Sequence, residues 1–213
     1  MGIFTGKKVI DVTRPLQSHM TVWPGDEGVV IERTLSISEG GTANISRINM
    51  GVHAGTHMDA PLHFIDGGED IEAISLDRLF GEVLVLESKE GVIDESHLQG
   101  RDLKDVSAVF FKTFCSDRDG MAPFLDRYPA ITETCARILI DKGIKTVGTD
   151  YFSIEFCTDN RFPVHKLLLS HKVGIVENLY LKDVEPGRYS FVCLPIKIKG
   201  SDGAPCRVLL FKY

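Results

Sequence analysis

The sequence predicts an α/β fold, with α+β as the alternative, built on a mixed β-sheet with flanking helices. Three observations carry that reading: short β-rich runs open the chain, a well-capped helix leads directly into a strand near its middle, and three strand-like runs close it. The chain has 213 residues, 43% of them apolar. That is enough for one well-buried core and short for two ordinary domains, so residues 1–213 read as a single domain.

Runs 8–13, 29–36 and 43–53 come first, separated by the turn clusters Trp23-Pro24-Gly25-Asp26 and Glu39-Gly40-Gly41. They predict a mostly antiparallel sheet in this part of the chain. A short helix is expected over 75–80, then strands over 82–87 and 106–112. The strongest helix runs over 133–142. Thr132 can cap it, Glu133 suits the positive end of its dipole, Lys142 the negative end, and Gly143 the left-handed position that follows. Its apolar face is Cys135, Ile138 and Leu139. A strand through Thr146 and Val147 comes next, followed by a helix over 164–170 and closing strands over 172–176, 189–194 and 207–212.

Composition excludes several function classes. Lys and Arg number 24 against 30 Asp and Glu, a formal charge of -6, which is the wrong sign for a surface that neutralises phosphates, so nucleic acid is not an expected partner. No apolar run approaches the ~18 residues of a membrane span. The first residues lack the pattern of a secretory signal, and Gly2 is followed at position 6 by Gly6, where a myristoylation motif needs Ser or Thr. The five cysteines (Cys115, Cys135, Cys157, Cys193 and Cys206) are widely spaced without a Cys-x-x-Cys pair. They read as reduced packing residues of a cytoplasmic protein.

Chemistry concentrates in one stretch. Three of seven histidines fall in His53-Ala54-Gly55-Thr56-His57-Met58-Asp59-Ala60-Pro61-Leu62-His63. Gly51, Gly55 and Pro61 oppose a helix there, so the reading is a strand running into a loop. With Ile48, Met50 and Val52 on one face of that strand, His53 leaves it on the polar side. Gly55 permits a reversal that returns His57 beside His53, and Asp59 points the same way as His57 if the backbone is extended. Two imidazoles and a carboxylate without thiolate suit Zn²⁺, Mn²⁺ or Fe²⁺, with a coordination position left open. His63 is matched by its ordinary pKa to move protons; a fourth ligand or an inert neighbour of Phe64 are the other readings of that residue.

The pattern H-x-G-T-H-x-D-x-P-x-H from His53 to His63 resembles that of the metal-dependent hydrolases of the cyclase family. Trp23-Pro24-Gly25-Asp26, Gly148-Thr149-Asp150 followed by Ser153, and the pair His165 and Glu177 agree with it, so the likeness spans nearly the whole chain. The resemblance implies that His53, His57 and Asp59 hold one divalent metal, Zn²⁺ before Mn²⁺. Asp59 would bridge to a second ion held by His165 and Glu177, and His63 would transfer the proton. His171 is the alternative to His165, and Asp150 would orient a ligand or cap the next segment. Trp23 and Phe64, with Tyr151, would line an aromatic substrate pocket; an ordinary place in the core is the other reading of each. The resemblance also implies a swivelling β/β/α type of fold, a homodimer or higher homo-oligomer, and a small-molecule amide as substrate. The activity it implies is arylformamidase-like: hydrolysis of N-formylkynurenine or a similar aryl formamide by a metal-activated water. Hydrolysis of a cyclic amide such as isatin, or metal binding without catalysis, are the alternatives.

Overall fold

Residues 83–86 show how the sheet is buried. Val83 and Val85 enter one apolar cluster, whereas Leu84 and Leu86 enter another on the opposite face, as the period of two along a strand requires. The same alternation recurs at 108–111, where Ala108 and Phe110 face the first cluster and Val109 and Phe111 the second. Such near-continuous apolar strands belong to a sheet covered on both sides.

The computed structural model describes residues 8–156 and 161–212. Its strands are, in chain order, β1 (Lys8–Asp11), β2 (Val30–Leu35), β3 (Ile45–Asn49), β4 (His57–Asp59), β5 (Phe80–Glu87), β6 (Val92–Ile93), β7 (Ala108–Lys112), β8 (Ala130–Ile131), β9 (Thr146–Thr149), β10 (Gly174–Glu177), β11 (Gly187–Pro195) and β12 (Gly203–Lys212); the α-helices are α1 (Glu133–Asp141) and α2 (Pro163–Ser170). The main sheet has the order β1-β12-β11-β5-β7-β9-β10-β4, and β4 pairs again with β12. The sheet therefore closes on itself like a barrel. It is mixed: β5, β7, β9 and β10 run parallel, while β11, β12 and β4 make antiparallel pairs. The first cluster fills the ring, with Phe110 and Phe191 edge to face at 5.5 Å between centroids. The second lies outside, under α1 and α2.

The mixed α/β class is as expected, and so is the capping of α1. Thr132 Oγ1 accepts from Cys135 N at 3.1 Å, and Gly143 takes φ 76°. Cys135 and Leu139 are buried and Ile138 is half-buried. The first part of the chain differs from expectation. It is not one antiparallel sheet: β1 joins the main sheet, whereas β2 and β3 form a separate hairpin whose residues are nearly all exposed. The helix expected over 75–80 is a single 3-10 turn, Leu76–Arg78, after which β5 begins at Phe80. A short apolar run does not distinguish strand from helix by periodicity. Cys115, Cys135, Cys193 and Cys206 are buried free thiols, as read from the sequence; Cys157 and the first seven residues lie outside the described residues. No helix among the described residues is long and apolar enough to cross a membrane.

Because Phe110 is fully buried at the centre of the ring, Phe110→Ala should lower unfolding free energy by about 3–5 kcal/mol in urea titration. Ile37→Ser, at a residue 58% exposed on the hairpin side, should stay within about 0.5 kcal/mol. Equal losses at the two positions would contradict this placement of the core.

Candidate metal centre

Strand β3 stops at Asn49, so His53 stands in a turn rather than on a strand face, and it is His57–Asp59 that forms strand β4 of the barrel. The expected roles of strand and loop are thus exchanged. The reversal at Gly55 holds: its φ is 68°, and an added Cβ would sit 2.6 Å from Leu16 Cδ2. His57 and Asp59, two apart on an extended strand, share a face. They meet Glu177, the last residue of β10, because β4 pairs antiparallel to β10 with His57 opposite Glu177. His165, in the first turn of α2, completes the group.

These residues pack closely. Asp59 Oδ1 lies 2.9 Å from His53 Nδ1 and 3.4 Å from His57 Nε2. Glu177 lies 3.2 Å from His165 Nε2 and 3.5 Å from His57 Nε2, and Asp59 Oδ2 is 3.8 Å from His165 Nε2. Among the described residues three sets of three donors have their atoms within 4.8 Å of one another: His53 with His63 and Asp202 at the edge, and two more at the centre, His53 with His57 and Asp59, and Asp59 with His165 and Glu177. Asp59 belongs to both central sets. His171, the alternative to His165, is exposed at the end of α2, with Nδ1 donating to Leu167 O at 2.8 Å, and is not brought to the cluster.

The far nitrogen of each ring is held. His57 Nδ1 donates to Gly55 O at 2.9 Å, His165 Nδ1 to Glu155 Oε1 at 2.6 Å, and His53 Nε2 to Asp202 Oδ2 at 2.8 Å. A neutral imidazole that donates through one nitrogen offers a lone pair at the other, so three lone pairs converge on two carboxylates. Acceptors facing acceptors need a cation between them. Oxygen and nitrogen donors in this number fit a divalent ion, and outer partners of this kind orient metal ligands. Without one, protons take its place. Burial opposes protonation of His57 and His165, but hydrogen bonds that the rings donate to Asp59, Glu177 and Glu155 override it and push both rings up to about 10 from 6.5. Burial alone would raise Asp59 too, yet the bonds from His53 and His57 hold it well below the ordinary carboxylate range. The donor set therefore passes the test for a divalent ion.

Sequence reasoning missed Glu155 and Asp202. Glu155 is buried, and its carboxylate also accepts from Val164 N and His165 N at 2.9 and 2.8 Å, capping α2. Neither residue sits in a local pattern. Glu155 lies ten residues from its histidine, and Asp202 reads as part of a Gly200-Ser201-Asp202-Gly203 turn.

A cavity of about 450 Å³ opens over the cluster, a size suited to a small ligand. His63, Trp23 and Phe64 line it, joined by Phe152, Phe162 and Ser153. Tyr151 takes the core place: it is buried in a cluster with Cys115 and Tyr128 behind Trp23, and its hydroxyl accepts from Leu125 N. Asp150 touches none of the cluster. Its carboxylate accepts from Thr113 N at 2.6 Å and Ser116 N at 3.0 Å, bracing the preceding 3-10 turn Phe114–Asp117 rather than capping the next segment. The ring of His63 stacks on His53 at 4.0 Å.

Known proteins resemble this chain over nearly its whole length. The family model described as "Putative cyclase" matches residues 10–156. A kynurenine formamidase of Erythrobacter litoralis is 34% identical over 207 residues, 96% of this chain and 94% of that one. A solved structure of a potential metal-dependent hydrolase with cyclase activity superposes with a TM-score of 0.83 at 39% identity, covering 98% of this chain and 99% of that one. An isatin hydrolase A of Labrenzia aggregata shares the fold, with a TM-score of 0.83 at 23% identity over 96% of this chain and 93% of its own.

The protonated rings set a test. Groups whose folded pKa lies at about 10, above the ordinary 6.5, contribute stability that is complete below about 6.5 and is lost as pH rises towards 10. In chelator, melting temperature should therefore fall from pH 7 to pH 10, and excess Zn²⁺ or Mn²⁺ should raise it at every pH and flatten that slope. A melting temperature indifferent to added ion would remove the metal from this site.

Proposed function

The chain belongs to the cyclase family, and from that premise we propose that it is a divalent-metal-dependent hydrolase of carbon–nitrogen amide bonds, acting on an aryl formamide such as N-formylkynurenine. The observation that carries the proposal is the convergence of three imidazole lone pairs and two buried carboxylates under an aromatic-walled cavity. In this reading His53, His57 and Asp59 hold one ion, and Asp59, His165 and Glu177 hold a second, with Asp59 shared. Zn²⁺ is the first choice, since nitrogen and carboxylate ligands with an open position suit it, and Mn²⁺ the second. A divalent ion in such a site supplies Lewis acidity, which polarises a carbonyl and makes hydroxide available near neutral pH.

The chain's own residues do the rest. Burial pushes the His63 imidazole below its ordinary 6.5, so the ring is neutral at pH 7 and takes a proton from the attacking water. It then returns that proton to the leaving nitrogen, because an amide anion is too basic to depart unaided. Trp23 and Phe64 present flat faces to an aromatic ring. Phe64 packs 4.7 Å from the His165 ring and 4.9 Å from Phe162, so its place is fixed by the residues around the cluster.

The assembly proposed is a homodimer or higher homo-oligomer formed through the β2–β3 hairpin. Its register pairs Ile31 with Ile48 and Leu35 with Ile45, and these residues are 37%, 54%, 37% and 51% exposed. Apolar cross-strand pairs left open on an isolated ribbon are the mark of a surface covered by another chain. The buried free thiols support a reducing compartment, and the cytoplasm is the location proposed.

His53→Ala and Asp59→Ala should lose both metal and activity, measured by elemental analysis and turnover on one preparation. His63→Ala should keep its metal and lose about 10²–10⁴-fold in rate. Turnover of isatin without turnover of any aryl formamide would assign the cavity to cyclic amides, and full metal occupancy with no hydrolysis of amides, esters or lactones would sink the enzyme. Light scattering should show an oligomer that Ile48→Lys dissociates.

A further inference from the structure

We propose that Asp202 is the positioning residue that orients His53 in the metal cluster: it holds the ring through Nε2, so that Nδ1 is presented to Asp59. The proposal rests on the reading of His53 as a metal ligand and not on the substrate.

Asp202 Oδ2 accepts from His53 Nε2 at 2.8 Å and also stands 3.2 Å from His63 Nδ1, an ion-pair distance without a hydrogen bond. A carboxylate only accepts, and a neutral imidazole carries one N–H and one lone pair. His53 therefore puts its hydrogen on Nε2, which faces Asp202, and its lone pair on the other nitrogen. For His53 that other nitrogen is 2.9 Å from Asp59 Oδ1. The two rings stack at 28° between planes, so a single side chain at their edge reaches both.

The fold delivers Asp202 to this spot. Its carbonyl accepts from Ala60 N at 2.9 Å, and that of Ser201 from Ile71 N at 2.9 Å. Segment 201–202 is thus tied at both points to the stretch that carries His63. Gly203 follows as the first residue of β12, opposite Asp59 in the ladder with β4. A Cβ at Gly203 would stand 2.7 Å from His53 Cε1 and 3.0 Å from Met58 O, so the absence of a side chain there lets the His53 ring lie against the strand. The aspartate and the ring it holds are placed by one backbone register.

Asp202 also differs from the other holders. Gly55 O and the Glu155 carboxylate each take one histidine nitrogen. Asp202 takes one, from the metal cluster, and lies beside a second ring at the cavity, that of His63. Its side chain is 43% exposed, and ion pairs so open to water contribute little to stability. Its value lies in orientation.

Asp202→Ala and Asp202→Glu in the full-length protein test this. Competition with a chromophoric chelator should show zinc held about 10–100-fold more weakly in Asp202→Ala, with the number of ions per chain unchanged. Nitrogen-15 spectra of the rings should show His53 with its hydrogen on Nε2 in the wild type and as a mixture of both forms in Asp202→Ala. In a His63→Ala background the same substitution should still weaken zinc. Asp202→Glu should recover part of both losses. Loss of a whole ion per chain would make Asp202 a ligand and overturn the proposal, as would an unchanged ring state with unchanged zinc affinity. If the wild type hydrolyses nothing, the hydrolase reading fails by itself, and ring state and zinc affinity still decide the role of Asp202.

Discussion

Two carboxylates, Asp59 and Glu177, are buried to within 1% and 4% exposure and face a common space; the rest of the site is arranged around that fact. A buried carboxylate without compensation costs several kcal/mol. Their charged partners are imidazoles, which can answer in two ways. They can take up protons, as the rise of His57 and His165 to about 10 records, or they can offer lone pairs to a cation that neutralises both acids. The second answer releases protons and leaves each donor in the state its outer partner already prefers, because Gly55 O and Glu155 are acceptors that keep the hydrogen on the far nitrogen.

The closure of the sheet is what brings the donors together. Strand β4 is only three residues long, yet it pairs on one side with β10 and on the other with β12. It is the seam of the ring. Its register sets His57 opposite both Glu177 and Pro205, and Asp59 opposite both Ile175 and Gly203. A one-residue slip would turn His57 and Asp59 into the barrel and Met58 out of it. Met58, fully buried among the residues that fill the ring, resists that slip. Core packing and ligand placement are therefore the same constraint seen from the two faces of one strand.

Much of this was legible in the sequence, for reasons that also explain what was not. His53, His57, Asp59 and His63 fall within eleven residues, so their convergence needs only Gly55 to reverse the chain. The capped helix α1 likewise carries its own start and stop signals. What escaped was long-range. Whether 57–59 is loop or strand depends on partners more than a hundred residues away, since three residues carry no periodicity of their own. Glu155 and Asp202 act on histidines 10 and 149 residues distant, and a lone acid in a turn has no local signature. Tyr151 stays open in the sequence for the same reason: an aromatic residue beside a motif can face the cavity or the cluster behind it, and here its neighbour Phe152 lines the cavity instead.

The holders of the histidines also give the site a direction. His57 and His165 are anchored by a backbone carbonyl and by a buried carboxylate that simultaneously caps α2, so neither can swing without disturbing the fold. Their side chains are 2% and 4% exposed. His53, at 19%, is anchored by an aspartate that is itself 43% exposed, and His63, at 29%, lies beside the same carboxylate. One side of the cluster is thus rigid and dry, the other softer and open to the cavity. Tight, dry donors favour holding an ion, whereas proton transfer needs a ring that reaches water and substrate. In the proposed function the gradient runs from His165 and His57, dry rings that only hold an ion, through His53, a ligand at the edge of the cavity, to His63, the ring most open to it.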